Sequence, residues 1–445
     1  MRTSLKTIIP SLFVAFTGAV AATPAVNDQN LTSLDKLRND IPLISRETPG
    51  SEIVTLSVSF LTGSADESFN RRAITSLALD AMSYATKRFP KSKIFALTEK
   101  NSIGLGCSGG IEVSRCSVET IQENLPQAID LLAAVVLEPS FNDEDVNLAK
   151  QQRIADYRQE SQNPESQVNA VVNSIFYDKY HPYRLLPQDG VKQTEGLNSK
   201  DLKAYHQGLL DASNMFITYA GPKMSPKVKN SINSKFGKIA KKSRPKKIVA
   251  APQFDPKNTF AFEHRQIPTA YIKLKFNAPS VLAKDATAAD IMFEILSDKL
   301  QEEVRTKRSL SYAIYAETIQ HTQGIGMISA STSKPEETLD AIAQVIKAMK
   351  EKGVSQEELD EYRNGFTTSY FLTLESQDSL AGALASFQAY FGDARRLYDV
   401  PNRLANVTPA DVQRLAKDLL KDFRVGVVYD KDKFNPKWIE PLRKI

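Results

Sequence analysis

Between positions 54 and 60, Val54, Leu56, Val58 and Phe60 alternate with Thr55, Ser57 and Ser59, the period of two that predicts a strand with one buried face. The pattern returns in the second half as Ala270, Ile272, Leu274 and Phe276, with Lys273 and Lys275 between them. Helical spacing is repeated too. Pro126 leads into Ile129, Leu132 and Val136, and Pro335 leads into Leu339, Ile342, Ile346 and Met349, each an apolar stripe behind a first-turn proline. Asn142-Asp-Glu-Asp145 and Ser355-Gln-Glu-Glu358 read as capped acidic helix starts, the second as a capping box. Asn198-Ser-Lys-Asp201-Leu202 before Leu209-Leu210 is matched by Thr408-Pro-Ala-Asp411-Val412 before Leu419-Leu420. Closing strands are predicted at 215–220 and 425–429.

Four echoes in one order point to an internal duplication, although single helices and strands of these types recur by chance in any mixed fold. The predicted fold is α+β: two homologous repeats, 22–237 and 259–445, each a mainly antiparallel sheet covered by helices on one face. The stretch 238–258 contains Lys238, Lys241, Lys242, Arg244, Pro245, Lys246 and Lys247 without an apolar period, and reads as the linker of a clam-like chain. Its alternative reading is a basic patch for an anionic partner.

Composition narrows the class. With 445 residues, 42% hydrophobic and 24% charged, the chain is globular and neither disordered nor fibrous. Its formal charge of +5 drops by two if Arg2 and Lys6 are removed with a leader, too small a surplus to indicate nucleic-acid binding. A leader is expected: a basic start, an apolar run from Ile8 to Phe16, and Gly18-Ala-Val-Ala21 form a secretory signal peptide, 1–21, cleaved after Ala21 or Ala22. The run is shorter than the roughly 20 residues that span a bilayer, so no membrane anchor is predicted. Export to the periplasm is expected, and in that oxidising space Cys107 and Cys116 invite a bridge. A two-residue turn at Gly109-Gly110 would place Cys107 opposite Glu112 and leave Cys116 roughly 13 Å along the strand. Two buried free thiols are therefore predicted rather than a disulfide.

The order of elements, with Gly63-Ser64-Ala-Asp-Glu67, Leu137-Glu-Pro139-Ser-Phe141, Gln162-Asn-Pro164, His181-Pro-Tyr183 and, most specifically, Arg305-Thr-Lys-Arg-Ser-Leu310-Ser-Tyr312, resembles the pitrilysin and mitochondrial processing peptidase-like family of inverted zinc metallopeptidases. The resemblance covers the whole mature chain. It implies a helix carrying His-x-x-Glu-His, two imidazoles binding zinc and a glutamate deprotonating the metal-bound water, with a third ligand from a later helix.

The matching helix here, 73–86, has Ser76 and Asp80 where the resemblance places the histidines and Leu79 where it places the base; the later ligand position falls near Asp156. Such a set makes a poor zinc site, and leucine cannot act as a base. The four histidines do not compensate. His181 is expected to hold a loop and His206 to sit on an amphipathic helix, while His264 and His321 read as surface or turn.

In the resembled family an Arg and a Tyr seven positions apart donate hydrogen bonds to the substrate at the zinc of the other half. Arg305 and Tyr312 have that spacing and are the predicted substrate-binding pair. A packing role is the alternative, since Arg305 lies near a helix C-terminus and Tyr312 opens a strand. The stretch 293–300 departs from the family by lacking its glycine-rich turn. The implied function is a non-catalytic subunit of a heterodimeric periplasmic zinc peptidase. It would bind no cofactor itself and would act on peptides with a zinc-bearing partner of the same family. The rival is an inactive peptidase-fold protein, structural or peptide-binding, acting without such a partner.

Overall fold

The computed structural model describes residues 29–242, 249–253, 255 and 257–445; the predicted signal peptide and the basic centre of the linker lie outside the described residues. The first sheet comprises β1 (Thr32–Lys36), β2 (Pro42–Glu47), β3 (Ile53–Phe60), β4 (Gly104–Ser108), β5 (Ser114–Ile121) and β6 (Met215–Gly221), ordered β1-β2-β6-β3-β5-β4. The second comprises β7 (Phe260–His264), β8 (Ala270–Ala278), β9 (Ser311–Ile319), β10 (Gly324–Thr332) and β11 (Arg424–Tyr429), ordered β7-β11-β8-β10-β9. With β1 set aside, the two orders match strand for strand. Each sheet has one parallel pair, β2 with β6 and β7 with β11, and is otherwise antiparallel.

The helices repeat less strictly, with more of them in the first half. The first half contains α1 (Ile74–Met82), α2 (Lys91–Lys100), α3 (Leu125–Leu137), α4 (Asp143–Gln162), α5 (Pro164–Phe176), α6 (Pro187–Gly196), α7 (Ser199–Leu209) and α8 (Pro226–Phe236). The second contains α9 (Ala286–Leu300), α10 (Pro335–Lys352), α11 (Gln356–Thr373), α12 (Gln377–Phe391), α13 (Val400–Ala405) and α14 (Pro409–Leu419). Local chemistry starts them where expected. Proline stands in the first turn of α3 and α10, Asn142 Oδ1 accepts from the Asp145 N–H at 2.8 Å, and α7 and α14 open with full capping boxes. The box expected at Ser355 is half made: its hydroxyl accepts from the Glu358 N–H at 3.1 Å, but the Glu358 carboxylate turns to Lys299.

The polar positions of the alternating strands depart from expectation. Thr55, Ser57 and Ser59 of β3, and Lys273 and Lys275 of β8, are buried. Each sheet is covered on its second face by a helix of the other repeat, α12 on β3 and β6, and α5 on β7, β8 and β11. Under α12, Ile44, Phe216 and Ala220 pack with Leu380, Ala381 and Leu384. The opposite contact is polar: Lys275 donates to Asn173 Oδ1 at 2.6 Å, and Lys273 pairs with Glu165 at 3.2 Å. Gly426 permits it, because a Cβ there would stand 2.8 Å from the Val172 nitrogen.

The cysteine expectation fails. The hairpin between β4 and β5 turns through the longer segment 109–113, so Cys107 lies directly opposite Cys116 in the strand register and the two form a disulfide, Cα atoms 4.0 Å apart. Assuming a two-residue turn displaced the pairing and produced the wrong distance.

Candidate functional site

α1 begins abruptly at Ala73, whose φ of 73° is left-handed, and its first N–H groups are satisfied by Glu67, which accepts from Thr75 N at 2.8 Å and Ala73 N at 3.0 Å. Burial pushes the Glu67 carboxyl up to about 7 despite these bonds. The helix then presents Ser76, Leu79 and Asp80. Leu79 is wholly buried in the first core.

Asp80 faces α4 and meets Arg153, whose Nε donates to Asp80 Oδ2 at 3.0 Å and whose terminal nitrogen donates to the same oxygen. Burial, and secondarily the Asp156 charge, raise the Asp80 pKa against the lowering influence of Arg153. The guanidinium also lies 6.0 Å from the Tyr157 ring centroid, and burial pushes the Tyr157 hydroxyl up to about 12. Asp156 itself accepts from Gln152 at 2.9 Å.

A fixed monovalent cation thus bridges the helices at the place where the resemblance puts a metal. A serine hydroxyl, a leucine and a carboxylate already held by an arginine do not fit zinc. No three His, Cys, Asp or Glu side chains converge as metal ligands among the described residues. Arg153 was not anticipated from the sequence. Its signal is its place one turn before Asp156, which brings it to the same face of α4.

Arg305 and Tyr312 are placed together by two irregularities. α9 runs on into a π-helical turn, Gln301–Lys307, that carries Arg305. The chain then turns through Ser309, at φ 52°, and enters β9. In the β9–β10 ladder Ser311 pairs with Thr332 and Ala313 with Ser331, so Tyr312 is the extra residue of a β-bulge. Without it, a period of two would put Tyr312 on the core side with Ile314 and Ala316, both buried. With it, Tyr312 is 89% exposed. The Arg305 guanidinium lies 6.0 Å from its ring centroid and makes no ion pair with a described residue. The bulge itself has no evident mark in the sequence.

The histidines have structural partners. His181 accepts from the Tyr183 N–H at 3.1 Å and bonds the Ala250 carbonyl, His206 bonds the Val136 carbonyl at 2.7 Å, and His264 accepts from the Lys431 N–H at 3.1 Å. His321, read as surface or turn, lies in the turn between β9 and β10 and is half-buried there against the β4–β5 loop, 3.7 Å from Glu112 and 3.2 Å from the Tyr390 hydroxyl. Glu112 binds the loops together by accepting from Thr322 N at 3.0 Å and the Tyr183 hydroxyl at 2.6 Å.

A duplicated sheet-and-helix unit, with an arginine-bridged helix pair at the place where the resemblance puts a metal, has the architecture that the resemblance implies. Comparison with known proteins agrees. Residues 43–186 match the family profile described as insulinase, peptidase family M16, and residues 196–366 match the M16 peptidase inactive domain. The zinc protease PqqE of Helicobacter pylori is 22% identical over 408 residues, covering 88% of this chain and 91% of that protein. The crystal structure of a peptidase M16 inactive domain from Pseudomonas fluorescens superposes with a TM-score of 0.82 at 19% identity, over 90% of this chain and 98% of that one. The periplasmic protease PqqL of Escherichia coli gives a TM-score of 0.74 at 17% identity, over 95% of this chain and 49% of that one. The chain belongs to the M16, or pitrilysin-like, peptidase family.

Proposed function

We propose that this chain is the non-catalytic subunit of a heterodimeric periplasmic zinc peptidase, lending Arg305 and Tyr312 to the zinc site of a partner of the same family. The observation that carries the reading is the outward aim of that pair. A tyrosine turned away from its core by a bulge, beside an arginine without a carboxylate, has donors to offer to something outside the chain. The filled α1–α4 site supports the other half of the reading, since Asp80 and Arg153 leave no place for zinc and Leu79 no base. PqqL is described as a periplasmic protease, and this chain corresponds to about half its length; two chains of the present kind would together supply a comparable span.

On this reading the chain holds no metal, the partner's zinc activates water, and Arg305 and Tyr312 orient the substrate carbonyl by hydrogen bonds that strengthen as negative charge develops on its oxygen. The test is to purify the chain and a candidate partner and assay an unstructured peptide. Only the mixture should cleave it, zinc should be required, and Arg305→Ala or Tyr312→Phe should lower kcat/KM roughly a hundredfold. Equal cleavage by mixtures with these variants would reject the shared site. If no family partner ever restores cleavage while peptide still binds, the rival reading of a solitary peptide-binding protein is the correct one.

A further inference from the structure

The repeats differ sharply in one groove. In the first, α1 and α4 are bridged from within by Arg153, held by Asp80 and lying over Tyr157. Their counterparts in the second repeat, α9 after the central strand β8 and α11 behind the Ser355 cap, instead enclose an open cavity of about 750 Å³. Its walls carry Glu294 and Asp298 from α9, and Glu361, Tyr362, Phe366 and Tyr370 from α11; none of its lining residues is basic.

The Glu294 side chain is exposed but has no ion pair with a described residue, and partial desolvation of its carboxyl, together with the carboxylates Asp298, Asp290 and Glu317, raises its pKa. Nearby cations are engaged elsewhere. Lys299 pairs with Glu358, and Arg363 binds Asp360 and the Leu404 and Val407 carbonyls. The groove therefore combines uncompensated negative charge with aromatic walls, the two features that hold a guanidinium in its counterpart.

We propose that the α9–α11 groove binds an arginine side chain of an extended peptide, receiving from outside the group that Arg153 supplies from inside in the first repeat. Its position suits a peptide already engaged nearby. Asp298 and Arg305 lie on one continuous helical run, about 10 Å apart at the helical rise, which an extended peptide spans in about three residues. This last register, unlike the groove itself, rests on the function proposed above.

The experiment uses the full chain and a short, labelled Gly/Ser-rich peptide carrying one arginine, compared by fluorescence anisotropy with the same peptide carrying neutral, near-isosteric citrulline. The arginine peptide should bind roughly tenfold more tightly, by about 1.4 kcal/mol. Glu294→Gln combined with Asp298→Asn should erase that preference, and Tyr362→Leu should reduce it. Glu336→Gln combined with Glu337→Gln, at the exposed start of α10, should leave it unchanged. Glu294 and Asp298 are exposed, so thermal unfolding of their variant should stay cooperative. Equal binding of the two peptides, no binding of the arginine peptide at millimolar concentration, or a preference that survives the groove variant overturns the proposal. Failure of partner-dependent hydrolysis with the arginine preference intact rejects only the subunit reading; hydrolysis without the preference rejects only the groove.

Discussion

Replacing Arg153 by methionine keeps most of its aliphatic stem and removes the cation that Asp80 faces. The two side chains are 23% and 26% exposed, between the surface pairs worth less than about 1 kcal/mol and the buried pairs whose one-sided disruption costs about 3–5 kcal/mol. At a charge separation of about 4 Å and an effective dielectric near 20, the attraction is about 4 kcal/mol, of which desolvation and side-chain ordering offset roughly half. Arg153→Met should therefore cost about 2 kcal/mol at pH 8, read from urea unfolding followed by circular dichroism. The Asp80 pKa is already raised by burial, and losing Arg153 raises it further. The cost should accordingly shrink as pH falls through the variant's Asp80 pKa, because a protonated carboxyl no longer needs the cation. A double-mutant cycle with Asp80→Asn isolates the pair. A loss below about 0.5 kcal/mol with no coupling would mean that Arg153 is only a surface residue resting on Asp80, and the account of the filled metal position would fall.

Three further outcomes are expected. Replacing Cys107 and Cys116 by serine opens a loop with a sequence separation of 9, for which chain entropy gives a loss of about 2.6 kcal/mol; denaturation with and without reductant should show this in wild type only, and thiol titration of the native protein should find none free. Glu67 has a folded pKa of about 7 against an ordinary value of 4.5, so it binds protons more tightly folded than unfolded, and its contribution to stability should decline as pH rises between those values. Glu67→Gln should remove that decline from the pH dependence of Tm; an unchanged profile would contradict the assigned burial. Gly426→Ala places a methyl 2.8 Å from the Val172 nitrogen and should cost about 1–3 kcal/mol in urea unfolding, with little change expected if α5 were loosely attached.

The duplication was legible because each echo has a local cause: proline in the first turn of α3 and α10, a polar cap before α4 and α11, and capping boxes at Asn198 and Thr408. Ser76 and Asp80 stand one turn apart on α1 with Leu79 between them, a spacing readable in advance because helical periodicity is local. What failed depended on neighbours distant in sequence. Thr55, Ser57 and Ser59 look solvent-facing until α12 arrives from more than 300 residues away, and Lys273 and Lys275 until α5 does. The half-made box at Ser355 has the same origin, because Lys299 draws the Glu358 carboxylate away. Cys107 and Cys116 depended on loop length, which glycines alone do not specify, and Tyr312 on a bulge by which a single unpaired residue changes which face a side chain takes.

The exchange of α12 and α5 also limits where motion can occur. Separating the repeats would expose Leu380, Leu384, Ile44 and Phe216, each worth about 1.5–3 kcal/mol when fully buried. It would also leave Lys275 without Asn173, and Glu112 without Thr322. The second surface of each sheet is therefore not a spare face that could open to admit a peptide. Tyr312 and Arg305 stand on the edge strand of the second sheet and the turn before it, outside these shared contacts. A peptide can reach them with both repeats still locked. On the proposed reading, the opening and closing that a peptidase chamber needs must then occur between this chain and its partner, and a covalent staple joining α5 to β11 should leave peptide cleavage by the mixture unchanged. A staple that abolished cleavage would place the required motion inside this chain and contradict the rigidity inferred from the helix exchange.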